Sequence, residues 1–392
     1  MKLWSKQSLF TILLVSTVVL ARAQSSLERV NFAYQCDPKG EIFVTNKVYS
    51  SGADSVILFS NIFINEKQAD INNYKFQLSV SDTYGSDFKS ISYDSLYVGS
   101  RGKNHFLKFG IPKWPTYQVL VLKVESTFSS AMYYYDIQPA EILPVTLLDG
   151  SQVPIVQNWV RSGTFNLSKN TTAQFYTYYF EAALPPMVTR APDPQKEMAI
   201  DSIMTILDSS AFSLTDIGFY LFQTDTSSQK ALPLLLVDKY FPKLARLDQL
   251  VDPLIYITQQ EEWEVLNKDS VVKRDFDQFW LGITRSADRA KKVIKTYYDR
   301  IEEANQFFTT YKEGWKTDRG MIYAIFGGPD RVIRKADKET WYYNATSVSQ
   351  SIDFEFIRVN SIFSNNHYVL IRDRRYSNSW YQAVNNLRKV RY

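Results

Sequence analysis

The sequence predicts an α+β protein of several domains: an amino-terminal antiparallel β-sandwich, immunoglobulin-like in outline, a helical middle region, and a small carboxyl-terminal antiparallel sheet packed on helices. Three observations carry this. From about residue 29 to 144, short runs of β-branched and aromatic residues alternate with clusters of Gly, Asn, Asp, Ser and Pro, which are strand and turn signals. From about residue 271 to 308, apolar residues recur at helical spacing. Beyond Gly320, short apolar runs are again separated by turn residues.

The first 23 residues stand apart from any fold. Lys2 and Lys6 give a basic start, residues 9–20 are almost wholly apolar or hydroxyl-bearing, and Ala21-Arg22-Ala23 offers a small-x-small cleavage pattern. The apolar stretch is shorter than the roughly 20 residues that cross a bilayer core. It therefore reads as a cleavable signal peptide, with the mature chain starting near Gln24 in the periplasm or outside the cell. No cysteine follows it, so lipid attachment is not indicated, and no later segment approaches spanning length.

Composition bounds the rest. Of 392 residues, 45% are hydrophobic and 22% charged, which suits a globular protein with more than one core. The net charge of +4 arises from interspersed Lys, Arg, Asp and Glu, so no nucleic-acid partner is expected. Only the tail at residues 388–392 is locally basic. Cys36 is the single cysteine, which excludes an internal disulfide and leaves stability to packing.

In the amino-terminal region the clearest strand is residues 75–81. There Phe76, Leu78 and Val80 alternate with Lys75, Gln77, Ser79 and Ser81, putting apolar groups on one face. Similar runs lie at residues 41–49, 55–64, 105–111, 117–124 and 132–137. Strand character continues to residue 184, with a strongly β-favouring run at 175–180. Pro185-Pro186, Pro192 and Pro194 then mark a break. Two glycosylation-type sequons, at Asn166 and Asn170, carry no weight without a eukaryotic secretory route. Ile200, Ile203, Met204 and Leu207 have helical spacing. The expected division is a signal peptide at 1–23, the sandwich at 24–150, further strands and a Pro-rich linker at 151–195, a mixed connector at 196–250, and a carboxyl-terminal domain at 251–392.

That last domain opens on a long amphipathic pattern. Phe276, Phe279, Trp280 and Ile283, then Ala290, Val293, Ile294, Tyr297, Tyr298, Ile301, Ala304, Asn305 and Phe308, form a core-facing stripe. The opposite face, with Lys291, Lys292, Asp299, Arg300, Glu302 and Glu303, reads as solvated. Gly314 is expected to end the second helix through a positive φ. Residues 321–326 read as a strand and 327–330 as a turn, followed by strands at 339–343, 351–356 and 366–371.

The most distinctive segment is Gly314-Trp315-Lys316-Thr317-Asp318-Arg319-Gly320. With Tyr256-Ile257-Thr258, Glu261-Glu262-Trp263, Phe276, Phe279-Trp280, Tyr298, Arg300, Ile301 and Ala304-Asn305 before it, and Tyr323, Phe326-Gly327-Gly328-Pro329-Asp330 and Trp341-Tyr342-Tyr343 after it, this chain resembles the GWxTD-domain proteins of the bacterial envelope. The resemblance runs from about residue 252 to 343. It departs at Gly328, where the family often has a polar residue, and at 282–289, where an acidic Arg-Asp-Pro segment is usual. It implies an envelope location and no particular activity.

The motif has two physical readings. Asp318 and Arg319 could present charge in a cleft beside Trp315. Alternatively, Trp315 plugs a helix–sheet junction, Thr317 and Asp318 bond turn amides, and Arg319 pairs with a carboxylate. The second is favoured because the segment has no base or nucleophile of ordinary type. Candidate motif residues, structural or binding, are Gly314, Trp315, Thr317, Asp318, Arg319, Gly320, Gly327, Pro329, Asp330, Trp341 and Tyr343.

A search for chemistry finds little. His105 and His367 are far apart, so a histidine metal cluster is not expected, nor is any cofactor. The Gly-x-Ser-x-Gly, phosphate-loop and His-Glu-x-x-His patterns are missing. Asp353 and Glu355 lie two apart on one strand face, as a glycosidase pair could, but their solvent-type neighbours favour a charged outer face. Two function classes follow. One is a non-catalytic envelope component that binds a protein or a glycan. The other is a polysaccharide hydrolase using paired carboxylates such as Asp318, Asp330, Asp353 and Glu355.

Overall fold

The structure, a computed structural model, describes residues 26–52, 55–114, 118–177, 180–189, 198–208, 210–268 and 272–389. Residues 1–25, which include the stretch read as a signal peptide, Pro192 and Pro194, and residues 390–392 of the basic tail lie outside the described residues. Among the described residues no helix is long and apolar enough to cross a membrane.

The amino-terminal strands are β1 (Ile42–Ser50), β2 (Val56–Ile64), β3 (Tyr74–Ser81), β4 (Lys89–Ser90), β5 (Asp94–Arg101), β6 (Asn104–Ile111), β7 (Val119–Ser126), β8 (Met132–Ile137) and β9 (Ile142–Leu143). One sheet has the order β5-β6-β2-β1-β9, antiparallel except for the short parallel β9, and the other has the order β4-β3-β7-β8. Leu58, Ile62 and Phe109 from the first share a core with Leu78, Leu120 and Leu122 from the second. The six expected runs are strands. β5, with its largely exposed side chains, carried no clear alternation. On β3, Leu78 and Val80 are buried as expected, but Ser79 and Ser81 are buried too, because the outer faces of these sheets are covered.

What covers them is the rest of the chain. Strands β10 (Leu147–Asp149), β12 (Gly163–Leu167) and β15 (Phe212–Leu214) form a three-stranded antiparallel sheet. Strands β11 (Trp159–Arg161), β17 (Leu232–Val237), β16 (Gly218–Gln223), β13 (Thr171–Tyr176) and β14 (Ser202–Ile206) form a five-stranded one in that spatial order. All six residues of β17 are buried, as a central strand covered on both faces requires. Tyr49 and Phe59, from the outer face of the first sheet, belong to this second β core.

Residues 200–207 are not the helix that their spacing suggests. β14 runs antiparallel to β13, with Ser202 opposite Phe175 and Ile206 opposite Thr171. Ile203 and Met204 are exposed there. A few apolar residues at i, i+3, i+4 and i+7 fit a helix by count, but the ladder along β13 satisfies the backbone first.

The helices are α1 (Leu247–Val251), α2 (Gln260–Leu266), α3 (Lys273–Thr284), α4 (Ala287–Phe308), α5 (Asp318–Phe326) and α6 (Ser377–Arg388), packed with a sheet in the order β18 (Arg331–Arg334), β19 (Lys338–Tyr343), β20 (Ile352–Ser361) and β21 (Ser364–Leu370). The stripe on α3 and α4 faces the core as expected, with Trp280, Val293, Tyr297, Ile301 and Ala304 almost fully buried. Two residues assigned to the solvated face are docked instead: Arg300 donates to the Ile325 carbonyl at 2.7 Å, and Glu303 accepts from the Tyr323 hydroxyl at 2.9 Å.

Residues 321–326, expected as a strand, belong to α5. Thr317 caps this helix, and residues 318–325 are buried on every side. A helix without a wet face shows no amphipathic period, so a short apolar run cannot be told from a strand. The first described residues are tied to this domain as well as to the amino-terminal sheets, where Gln35 donates to the Tyr134 carbonyl at 3.0 Å. Asn31 Oδ1 accepts from the Val332 amide at 2.9 Å, Asn31 Nδ2 donates to the Asp330 carbonyl at 3.1 Å, and Leu27, Val30 and Phe32 join the carboxyl-terminal core.

Candidate functional site

The Gly-Trp-Lys-Thr-Asp turn is a backbone junction. α4 ends at Phe308, and Gly314 opens a short 3-10 turn instead of closing the helix in a left-handed conformation. Its lack of a side chain is needed for another reason: a Cβ would stand 1.9 Å from the Ala304 carbonyl oxygen. Gly320 is pressed against the motif in turn, with a Cβ falling 1.9 Å from the Gly314 carbonyl oxygen. The two glycines let α4, the turn and α5 stack in backbone contact.

The other motif residues lock that stack. Thr317 Oγ1 donates to the Gly314 carbonyl at 2.7 Å and accepts from the Gly320 amide at 3.0 Å, an N-cap in a buried site. Trp315 is buried edge-on to Tyr256, whose hydroxyl donates to the Trp315 carbonyl at 2.9 Å. Asp318 accepts from the Leu370 amide at 2.7 Å and pairs with Arg372 at 2.6 Å, fastening α5 to β21. Arg319 stacks 4.2 Å from the Tyr368 ring and lies 3.7 Å from Glu339.

Downstream, Gly327 has φ 79° and its carbonyl accepts from the Tyr343 hydroxyl at 2.9 Å. Gly328 is exposed and a Cβ there would meet only ordinary contacts, so the family departure at this position carries no strain. Pro329 is buried, and Asp330 accepts from the Asn344 amide at 2.7 Å. The buried Trp341 donates to Glu339 at 2.6 Å.

Glu339 begins a charged wall. Arg334 reaches Glu339 at 2.6 Å and Asp136 of β8 at 2.9 Å, and Arg358 reaches Glu141 at 3.0 Å. Burial pushes the Glu339 and Asp136 carboxyls upward, but the arginines outweigh it and hold both below their ordinary range. The wall joins the amino-terminal sheets to the carboxyl-terminal domain.

Beside this wall lies a cleft of about 480 Å³ where the amino-terminal sheets, the second β unit and the carboxyl-terminal domain meet. Its floor is the outer face of β1 and β2, and its sides include Trp159, Phe307 and Arg319. On the floor, Lys47 pairs with Phe59, Thr45 with Asn61, and Phe63 with Asn104. Residues directly opposite share a face, so Lys47, Asn61 and Asn104 form a polar diagonal across β1, β2 and β6, each step about 7–8 Å. Phe43, Tyr49, Phe59, Phe63 and Phe106 surround that diagonal on the same face.

One atom on the diagonal is buried without a partner, and one charge has no counterion. Lys47 is only 8% exposed and makes no hydrogen bond or ion pair among the described residues. Burial alone lowers its ammonium pKa to about 7. Asn61 is 7% exposed; its Nδ2 donates to Asn104 Oδ1 at 3.0 Å while its own Oδ1 is buried without a partner. Buried polar groups normally find partners, and both of these residues line the cleft.

Of the motif residues singled out from sequence, Arg319 alone lines this cleft; Asp318 faces Arg372, and Trp315 is packed behind. Asp353 and Glu355 do share one strand face but pair separately, with Arg375 at 3.2 Å and Lys338 at 2.6 Å. Cys36 borders the cleft, its thiol pushed up to about 12 by burial. His367 is buried with its pKa pushed down to about 4, chiefly by desolvation, and His105 contacts Tyr97 at 3.1 Å. Among the described residues no group of three metal-ligating side chains occurs. Sequence reasoning missed Lys47, Asn61 and Asn104; a lysine amid the aromatic alternation of residues 43–49 was the available signal.

Fold and site together define a β-rich protein whose carboxyl-terminal half is built round the Gly-Trp-Lys-Thr-Asp junction. Residues 218–389 match the family model of the GWxTD domain, and that stretch of the chain is a GWxTD domain. The match begins at β16, so the domain includes two strands of the second β unit as well as the helices and the last sheet. No curated protein matches the chain.

Proposed function

We propose that this chain is exported, cleaved near Gln24, and acts in the bacterial envelope as a non-catalytic component that binds a protein or glycan in the cleft where its three parts meet. The observation that carries this is Lys47, buried without a counterion beside the unpartnered Asn61 Oδ1, in a concave site rimmed with aromatic and amide side chains. The two facing amino-terminal sheets, taken as immunoglobulin-like, suit a binding module, by analogy of fold.

The hydrolase reading has less support. A glycosidase needs two carboxyl groups roughly 5–10 Å apart with one free to donate a proton. Asp318, Asp330, Asp353 and Glu355 are held by four different partners, and the carboxylates bordering the cleft, Asp136 and Glu141, are each committed to an arginine. The test is capture from envelope extracts and on a glycan array, comparing the wild-type chain with Asn104→Trp, which fills the cleft. Loss of a reproducible partner in the variant supports the reading; an unchanged set of partners refutes it.

A further inference from the structure

We propose that the cleft takes an acidic saccharide, its carboxylate seated on Lys47, a hydroxyl donated to Asn61 Oδ1, and the apolar face of the sugar ring against Phe43 and Phe63. This rests on the binding reading above and names the chemistry of the ligand.

The argument is one of charge and satisfaction. Five other charged side chains border the cleft, and each has its counterion: Arg334 with Asp136, Arg358 with Glu141, and Arg319 with Glu339 beneath it. Among the described residues Lys47 is left as the cation on this surface with no counterion. Its site therefore favours one negative charge, and a single ammonium on a flexible stem meets a carboxylate as a point charge. Asn61 Oδ1 is an acceptor, so the same ligand must also bring a donor; an anion without hydroxyl or amide hydrogens leaves that oxygen bare. Phe43 and Phe63 lie 6.1 Å apart at the floor, and Phe43 stacks on Phe307 at 6.1 Å. Aromatic faces with amide side chains between them complement a sugar ring, which presents CH groups on one side and hydroxyls at its edge. A carboxylated sugar supplies all three features within one ring.

The test uses the mature chain, isothermal titration, and three probes: trigalacturonate, its fully methyl-esterified form, and N-acetyldialanine. Wild-type protein is expected to bind trigalacturonate about tenfold or more tightly than the ester, the effect of one charge contact. Lys47→Met is expected to erase that preference, with the larger loss falling on the acid. Circular dichroism and a thermal melt establish that the variant is folded. Equal affinity for acid and ester overturns the carboxylate assignment and leaves a glycan cleft standing. Lys47-dependent binding of N-acetyldialanine without binding of either saccharide overturns the saccharide and leaves a peptide-binding cleft. Failure of all three probes overturns the inference, while partner capture by the wild type that Asn104→Trp abolishes would leave the broader binding reading intact.

Discussion

Gly314 lies so close to Ala304 that a methyl group on its Cα would stand 1.9 Å from the Ala304 carbonyl oxygen, well inside contact distance. The obstructing atom belongs to the backbone of α4, which cannot rotate away as a side chain would. Gly314→Ala and Gly320→Ala are therefore expected to destabilise the protein by at least the 1–3 kcal/mol of an overpacked core, and to leave little folded material. Gly282→Ala, in α3 with open space around it, is the control and should gain about 0.5–1 kcal/mol. Urea denaturation separates them; a Gly314→Ala protein as stable as wild type would refute the close-packing account.

Thr317 tests the cap in the same junction. Thr317→Ala removes the bonds to the Gly320 amide and the Gly314 carbonyl and is expected to lose about 1–2 kcal/mol, whereas Thr317→Ser retains both and should lose well under half of that. Equal losses would show that the methyl group, rather than the hydroxyl, matters here.

Asp318 and Arg372 are buried partners, with side chains 10% and 6% exposed. Asp318→Asn leaves the guanidinium in a poorly solvated site and is expected to lose about 3–5 kcal/mol, while the double variant Asp318→Asn, Arg372→Met should recover part of it. A double-mutant cycle measures the coupling. Additive losses would mean that the two side chains do not act as a pair.

Lys47 makes a prediction that needs no ligand. Its folded-state pKa, near 7, lies below the ordinary lysine value, so between about pH 7 and 10.5 the unfolded chain holds a proton that the folded one lacks. The contribution of Lys47 to stability should thus rise with pH across that window. Asp136, Glu141, Arg319, Arg334 and Arg358 share the cleft but are engaged in ion pairs, and burial keeps the Cys36, Tyr135 and Tyr368 groups protonated. Lys47→Met should therefore be more stable than wild type by a few kcal/mol below pH 7, with the gain shrinking toward pH 10. Chemical denaturation at pH 6, 8 and 10 reads this directly, and a gain that does not vary with pH would mean that Lys47 is not held neutral.

The sequence by itself determined what local pattern can carry. Alternation and turn residues located six of the strands from residue 42 to 137, though not β4 and β5, the apolar stripe located α3 and α4, and the run from Gly314 to Gly320 identified the domain. Other features were decided only by tertiary contact. α5 is helical because it is buried on all sides and capped by Thr317, residues 202–206 are extended because β13 offers a ladder, and Gly314 is glycine because α4 crowds it. The cleft belongs to this second group. Lys47, Asn61 and Asn104 come from three strands and are neighbours only through register, and the face that they share would be wet if the amino-terminal sheets stood alone. The second β unit and α4 close over that face, and this desolvation turns an ordinary surface lysine into a buried, unpaired one.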